Sequence, residues 1–242
     1  IGCSCVGYHN CESFQNHLIQ QLFQLGSDRG ISMWVHTVAY QELADAYREL
    51  VHEKQICNCF LISPENREIA KHVRATGTNC VVIAPHYDLH SERQEGPAVV
   101  DAADLIDLQM DYLFAHGHRH VAFIHADGEF FSSYPHLLRR ERYYCRMAQA
   151  GNRVDPSWVI PAWSPEPRFK RDLEKMLQSH PRPTAIICHE YYLPLVYAVL
   201  AARQLVVGRD ISVITDGEGS RLRPVPTMVL NSPQAMAELS WV

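Results

Sequence analysis

The chain has 242 residues, 47% hydrophobic and 20% charged, and a net charge of −5. That balance belongs to a globular chain with room for one large α/β unit or two modest lobes. It excludes a membrane span, which needs roughly 18–20 apolar residues in a row, and it argues against this stretch itself gripping nucleic acid, where phosphate neutralisation dominates affinity.

The chain opens on a short apolar run from Ile1 to Tyr8, which reads as a buried strand. Neither a basic n-region nor an apolar h-region marks a secretory leader there. A helical stripe follows at Phe14, Leu18, Leu22 and Leu25, with Gly26 or Gly30 as its stop. Ile31 to Thr37 reads as a second strand, and Leu43, Ala46, Tyr47, Leu50 and Val51 mark a second helix. Ile56 to Ile62 is a third strand. Ser63-Pro64-Glu65 then supplies a cap, a first-turn proline and a first-turn acid for a helix that ends at Gly77. Cys80 to Ala84 and Ala98 to Asp101 are further strands, separated by a polar loop. The next helix shows Leu105, Leu108, Tyr112 and Leu113 on one face and stops at Gly117.

The alternation then repeats. Strands are expected at Val121–Ile124, Trp158–Ile160, Thr184–Cys188 and Ile211–Thr215, and helices at 137–150, 169–179 and 193–203. Ser232-Pro233 opens a last helix. Such alternation gives parallel sheets covered by helices on both faces. About ten strands is too many for one compact open sheet of this length, so the expected fold class is α/β, two doubly wound parallel-sheet lobes joined by crossovers. Ligands of such sheets lie beyond the carboxyl ends of the strands, and two facing lobes would make a cleft.

The eight cysteines, at positions 3, 5, 11, 57, 59, 80, 145 and 188, form no CxxC knuckle. Buried free thiols in a reducing cytoplasm are the expectation. His116, His118 and His120 are close in sequence, but the chain turns from helix to strand among them, so no metal site is expected. GxSxG, GxGxxG, P-loop and HExxH motifs are absent, so neither an enzyme nor a cofactor is expected.

From Val100 onward the order of motifs resembles the LacI/GalR family of transcription regulators. Asp101…Leu113…Gly117-His118-Arg119-His120-Val121-Ala122 resembles that family's Asp-led helix followed by Gly-His-Arg-Arg-Ile-Ala. Arg139…Tyr143…Met147…Gly151, Pro183-Thr-Ala-Ile-Ile-Cys-His189-Glu190 and Gly208-Arg-Asp210-Ile-Ser-Val-Ile214 continue the likeness in register, and Pro226-Thr227 resembles its return crossover. The resemblance implies a periplasmic binding protein-like fold of type I, with one lobe at 1–119 plus 229–242 and another at 120–228. It also implies a small-molecule effector, a monosaccharide or derivative, held between the lobes, a homodimer, and operator DNA bound through an N-terminal helix-turn-helix that this chain lacks. The alternative is a periplasmic solute receptor for sugar transport.

The same resemblance nominates site residues. Arg139 aligns with an arginine that hydrogen-bonds sugar hydroxyls, a task suited to the five donors of a guanidinium fork. His189 and Glu190 stand where the family has Asn-Asp at a strand's carboxyl end, which puts an ordinary hexose in doubt. Asp216, with Glu218 nearby, follows the Ile-Ser-Val strand where the family has an acidic pair. Asp104 starts a helix near the ligand, Tyr8 follows the first strand, and Trp163 sits in a loop suited to stacking on a sugar face. Bland readings stand beside these: a solvated helix face for Arg139, helix capping for Glu190 and Asp104, an Asp-Gly turn for Asp216, and packing for the aromatics.

Overall fold

Short apolar runs alternating with amphipathic stripes fold here into parallel strands with helices between them. The computed structural model describes residues 2–8, 13–38, 57–62, 67–84, 96–99, 104–125, 134–162, 166–216, 222–229 and 232–241. In chain order these hold β1 (Gly2–Tyr8), α1 (Ser13–Asp28), β2 (Ser32–Val38), β3 (Asn58–Ile62), α2 (Arg67–Ala75), β4 (Asn79–Ile83) and β5 (Ala98–Val99). Next come α3 (Asp104–Ala115), β6 (Val121–His125), α4 (Tyr134–Gln149), β7 (Val159–Pro161), α5 (Glu166–Gln178), β8 (Ala185–Cys188), α6 (Leu193–Ala202), β9 (Ser212–Thr215), β10 (Thr227–Met228) and α7 (Pro233–Ser240). The strands form one sheet of order β2-β1-β3-β4-β5 and another of order β10-β9-β8-β6-β7, and every pairing is parallel. The expected helix at 43–51 and the cap at Ser63 lie outside the described residues.

The first compact unit is residues 1–101 with 231–242. Leu18 and Leu22 of α1 bury themselves against Phe60, Ile62 and Ile83 of the sheet and against Met236 and Ala237 of α7. Ser232 caps α7 by accepting from the Ala235 N–H, with Pro233 at the first turn, as its sequence predicts. α1 runs through Gly26 and stops before Gly30. At Gly26 the side chain of Met33 packs close: a Cβ there would lie 2.6 Å from Met33 Sδ, and that flexible side chain would have to move.

The second unit is residues 102–230. The expected boundary at 119/120 therefore moves, because α3 belongs to this unit. Its Ile106, Met110 and Leu113 share one core with Val121 to Ile124 of β6, Tyr143 and Met147 of α4, Trp158, Phe169 and Val196. The outer contact of α3 is ionic. Arg142 Nε lies 2.8 Å from each Asp107 oxygen, and Arg146 pairs with Asp107 and Asp111. Arg142 thereby braces α4 on α3.

The buried face of α3 also differs from the expected one. Leu105, Ile106, Gln109, Met110 and Leu113 are buried, while Leu108 is 52% and Tyr112 40% exposed. The helix turns its i, i+4, i+8 row of 105, 109 and 113 inward, and that row includes a polar residue. Cys59, Cys80 and Cys188 are buried and not in disulfides, whereas Cys57 and Cys145 are exposed.

Tyr143 is fully buried, and its hydroxyl donates to the Val121 carbonyl at 2.7 Å. Burial pushes its ionisation well above the ordinary tyrosine range, and the neighbouring Tyr144 adds to the shift. Tyr143→Phe strands that carbonyl at the start of β6 and should cost about 1–3 kcal/mol, read as a lower urea midpoint. Tyr144→Phe, on an exposed ring, should leave the midpoint nearly unchanged.

Candidate functional site

In a parallel sheet all carboxyl ends share one edge, so residues just past β6, β8 and β9 are brought together whatever their sequence separation. In the second unit these are His125 on β6, Cys188 and His189 at the end of β8, and Asp216 directly after β9. Helix α4 starts near the same edge and delivers His136 and Arg139, and α3 delivers Leu105, Ile106 and Gln109. With Phe123, Ile124 and Ile187 these residues line one crevice. Its volume is about 30 Å³, roughly the share of a single water molecule. Its lining mixes polar and apolar side chains, and it is a surface on which a ligand could rest, not a chamber enclosing one.

Asp216 is the centre. Its side chain is only 14% exposed. Oδ2 accepts from Arg139 Nη1 at 3.3 Å, and Oδ1 accepts from the Glu190 backbone N–H at 3.3 Å. His189 Nε2 stands 4.0 Å from Oδ1. His189 also caps the short 3₁₀ turn Glu190–Tyr192, its Nδ1 accepting from the Tyr191 N–H at 3.2 Å. With Nδ1 accepting, the ring nitrogen left to donate is Nε2, which faces Asp216.

Around Asp216 the electrostatics are those of a largely buried negative charge. The fully buried Cys188 thiol is pushed far up by burial and then by the Asp216 charge. The Tyr192 hydroxyl is pushed up to about 12 by burial, Tyr191 and Asp216 in that order. Both groups stay neutral at physiological pH. Gln109, 1% exposed, adds a carbonyl oxygen Oε1 with no hydrogen-bond partner among the described residues. An unsatisfied buried acceptor costs about 1–3 kcal/mol, a cost that a donor arriving from solvent would relieve.

The structure thus unites four of the nominated positions: Arg139, His189, Glu190 and Asp216. Glu190 meets Asp216 through its backbone amide, not its carboxylate. Asp104 is the first residue of α3, immediately before Leu105 and Ile106 of the crevice. Tyr8 ends β1, in the other unit. Trp163 and Glu218 lie outside the described residues. Gln109, His125 and His136 are additions. The interrupted apolar stripe of α3 was the one available signal for Gln109, and nothing local in the sequence marked the two histidines. The three clustered histidines go separate ways: His116 Nδ1 meets the Tyr112 carbonyl, His118 Nδ1 meets Thr184 Oγ1, and the His120 ring lies against Trp158.

A carboxylate, a guanidinium, an imidazole N–H and an unsatisfied amide oxygen offer both acceptors and donors within one small area. That set suits a neutral molecule dense in hydroxyls, each of which both donates and accepts.

Residues 110–239 match the model of the periplasmic binding protein-like domain family. Among curated proteins none matches the chain. Among solved structures, a LacI transcriptional regulator from Rhodococcus is similar with TM-score 0.78 at 20% identity, over 100% of this chain and 88% of that one. A regulatory protein of the LacI family from Chloroflexus aggregans gives 0.78 at 16%, over 99% and 86%. A LacI family transcriptional regulator from Lactobacillus casei with bound glucose gives 0.74 at 16%, over 99% and 90%. At such identities the likeness is one of fold. Among the described residues no helix is long and apolar enough to cross a membrane.

The raised Tyr192 ionisation sets a base limit. The folded state holds this proton more tightly than the unfolded chain does. Its contribution is therefore complete below the ordinary value of 10 and is lost as pH rises through about 12. Tyr192→Phe should flatten the loss of stability across that window, followed by urea midpoints at stepped pH and by tyrosinate absorbance.

Proposed function

Because this chain belongs to the periplasmic binding protein-like domain family, we propose that it is the effector-sensing domain of a LacI-type transcription regulator and that it binds a sugar or sugar derivative over Asp216. One observation carries the reading: a largely buried carboxylate at the carboxyl edge of a parallel sheet, held at 3.3 Å by a guanidinium on one oxygen and by a backbone amide on the other. The guanidinium of Arg139 sets a fork of donors beside an acceptor, and that arrangement matches vicinal hydroxyls. The glucose bound to the Lactobacillus casei neighbour supports the same ligand class.

The regulatory consequence is a population shift. An effector changes operator affinity only as far as it binds one conformer of the regulator better than another. Operator DNA and a second copy of the chain are the partners in this reading, and catalysis has no part in it. His189 gives Nδ1 to capping and keeps only Nε2 for a ligand, so the effector need not be the hexose an Asn-Asp pair would suit.

Thermal-shift titration with a panel of neutral and acidic monosaccharides tests this. At a hundredfold excess over Kd a ligand adds about 2.7 kcal/mol, which reads as a rise of several degrees. Arg139→Ala should weaken the responding sugar by about 1.5–3 kcal/mol, roughly 10- to 100-fold, and Asp216→Asn should weaken it comparably. An unchanged shift in both variants would remove this corner from the site. Operator binding by the natural full-length protein, with and without that sugar, separates a regulator from a transport receptor.

A further inference from the structure

Cys59 and Cys80 are direct register partners on the adjacent parallel strands β3 and β4. Neighbouring strands lie about 4.8 Å apart, within the roughly 4.4–6.8 Å over which a disulfide joins Cα atoms. Neither is part of a disulfide, each is 5% exposed, and a side-chain hydrogen bond from Cys59 acts on Cys80. Both line a cavity of about 530 Å³ at the amino ends of β3 and β4, the edge of the sheet opposite its carboxyl ends. A molecule of peroxide size can therefore reach thiols that are nearly buried from bulk solvent.

Arg74 shares that cavity. Its Nη2 donates to the Pro97 carbonyl at 3.1 Å and reaches the Cys80 carbonyl at 3.4 Å. Gly96 makes the room: a Cβ there would lie 2.9 Å from Arg74 Cζ and Nε, on a backbone φ of +147° that side chains rarely adopt. The hydrogen bond from Cys59 holds the Cys80 thiol below its ordinary range against the opposing effect of burial, and the Arg74 charge adds to the lowering. A buried structural thiol is ordinarily pushed the other way, as Cys188 is.

We propose that Cys59 and Cys80 are a reversible dithiol site for hydrogen peroxide. The Cys80 thiolate attacks one peroxide oxygen, the O–O bond breaks, and the departing hydroxide takes a proton to leave as water. The resulting sulfenic acid is attacked by the Cys59 sulfur: the S–S bond forms, the S–O bond breaks, and the Cys59 proton departs with the hydroxide as a second water. Two thiols lose two electrons and two protons, and one peroxide becomes two waters. Directly opposed neighbours on parallel strands leave the new bond little torsional freedom, and strained disulfides are the readily reduced ones.

The test is free-thiol titration and non-reducing peptide mapping of the intact chain after equimolar hydrogen peroxide. The expected result is loss of two of the eight thiols, a peptide linking Cys59 to Cys80, and recovery of both thiols with dithiothreitol. Cys59→Ser should stop the chemistry at a Cys80 sulfenic acid that dimedone traps. Arg74→Met should react more slowly than Arg74→Lys, by roughly threefold for each pKa unit that the cation supplies. Oxidation confined to the exposed Cys57 and Cys145, or a linkage between any other pair, would overturn the proposal, as would a Cys59→Ser variant without a dimedone adduct.

Discussion

A carboxylate that is 14% exposed is costly to keep charged, and the second unit is arranged so that Asp216 is never left alone. Its partners come from three different elements. Arg139 reaches it from α4, the Glu190 amide from the turn after β8, and His189 from the end of that strand. Removing any one of them leaves a poorly solvated charge, which is why breaking such a pair costs more than making it gains. Burial raises the ionisation of Cys188 and Tyr192, and the Asp216 charge adds to both shifts. Parallel pairing makes the convergence possible, because only the shared carboxyl edge brings residues 139, 190 and 216 into hydrogen-bonding reach.

The polar corner sits on an apolar support. Tyr143 and Phe123 stack beneath the edge with ring centroids 5.1 Å apart, and the α3–α4 ion pairs hold the two helices that supply Gln109 and Arg139. Precise placement of a few polar groups by a packed scaffold is what ligand sites require. The scaffold also explains why α3 turns its 105, 109 and 113 row inward: Leu105 and Leu113 bury apolar surface, and Gln109 is carried in with them to line the crevice.

The alternation of strand and helix was legible from apolar runs and helix stops, because buried parallel strands are near-continuous in hydrophobic residues. Arg139, His189 and Asp216 were nominated through the motif order around them and not through any local pattern, and the fold brings them together. The inward face of α3 was not legible. Leu108 and Tyr112 continue its apolar pattern but lie outside, and only the neighbouring α4 decides which row is covered. The unit boundary was missed for the same reason: α3 follows the first sheet in sequence and packs on the second. Glu190 was named for its carboxylate, yet its backbone makes the contact, something residue type cannot reveal. The pairing of Cys59 with Cys80 needed the register of β3 on β4, which sequence spacing does not fix.

The most direct test of this account is a crystal structure with the sugar that shifts the melting point most. The account predicts ligand hydroxyls within hydrogen-bond distance of the Arg139 guanidinium and the Asp216 carboxylate, with a donor on Gln109 Oε1. A sugar bound away from the carboxyl edge of β6, β8 and β9, with the Arg139–Asp216 pair untouched, would contradict it.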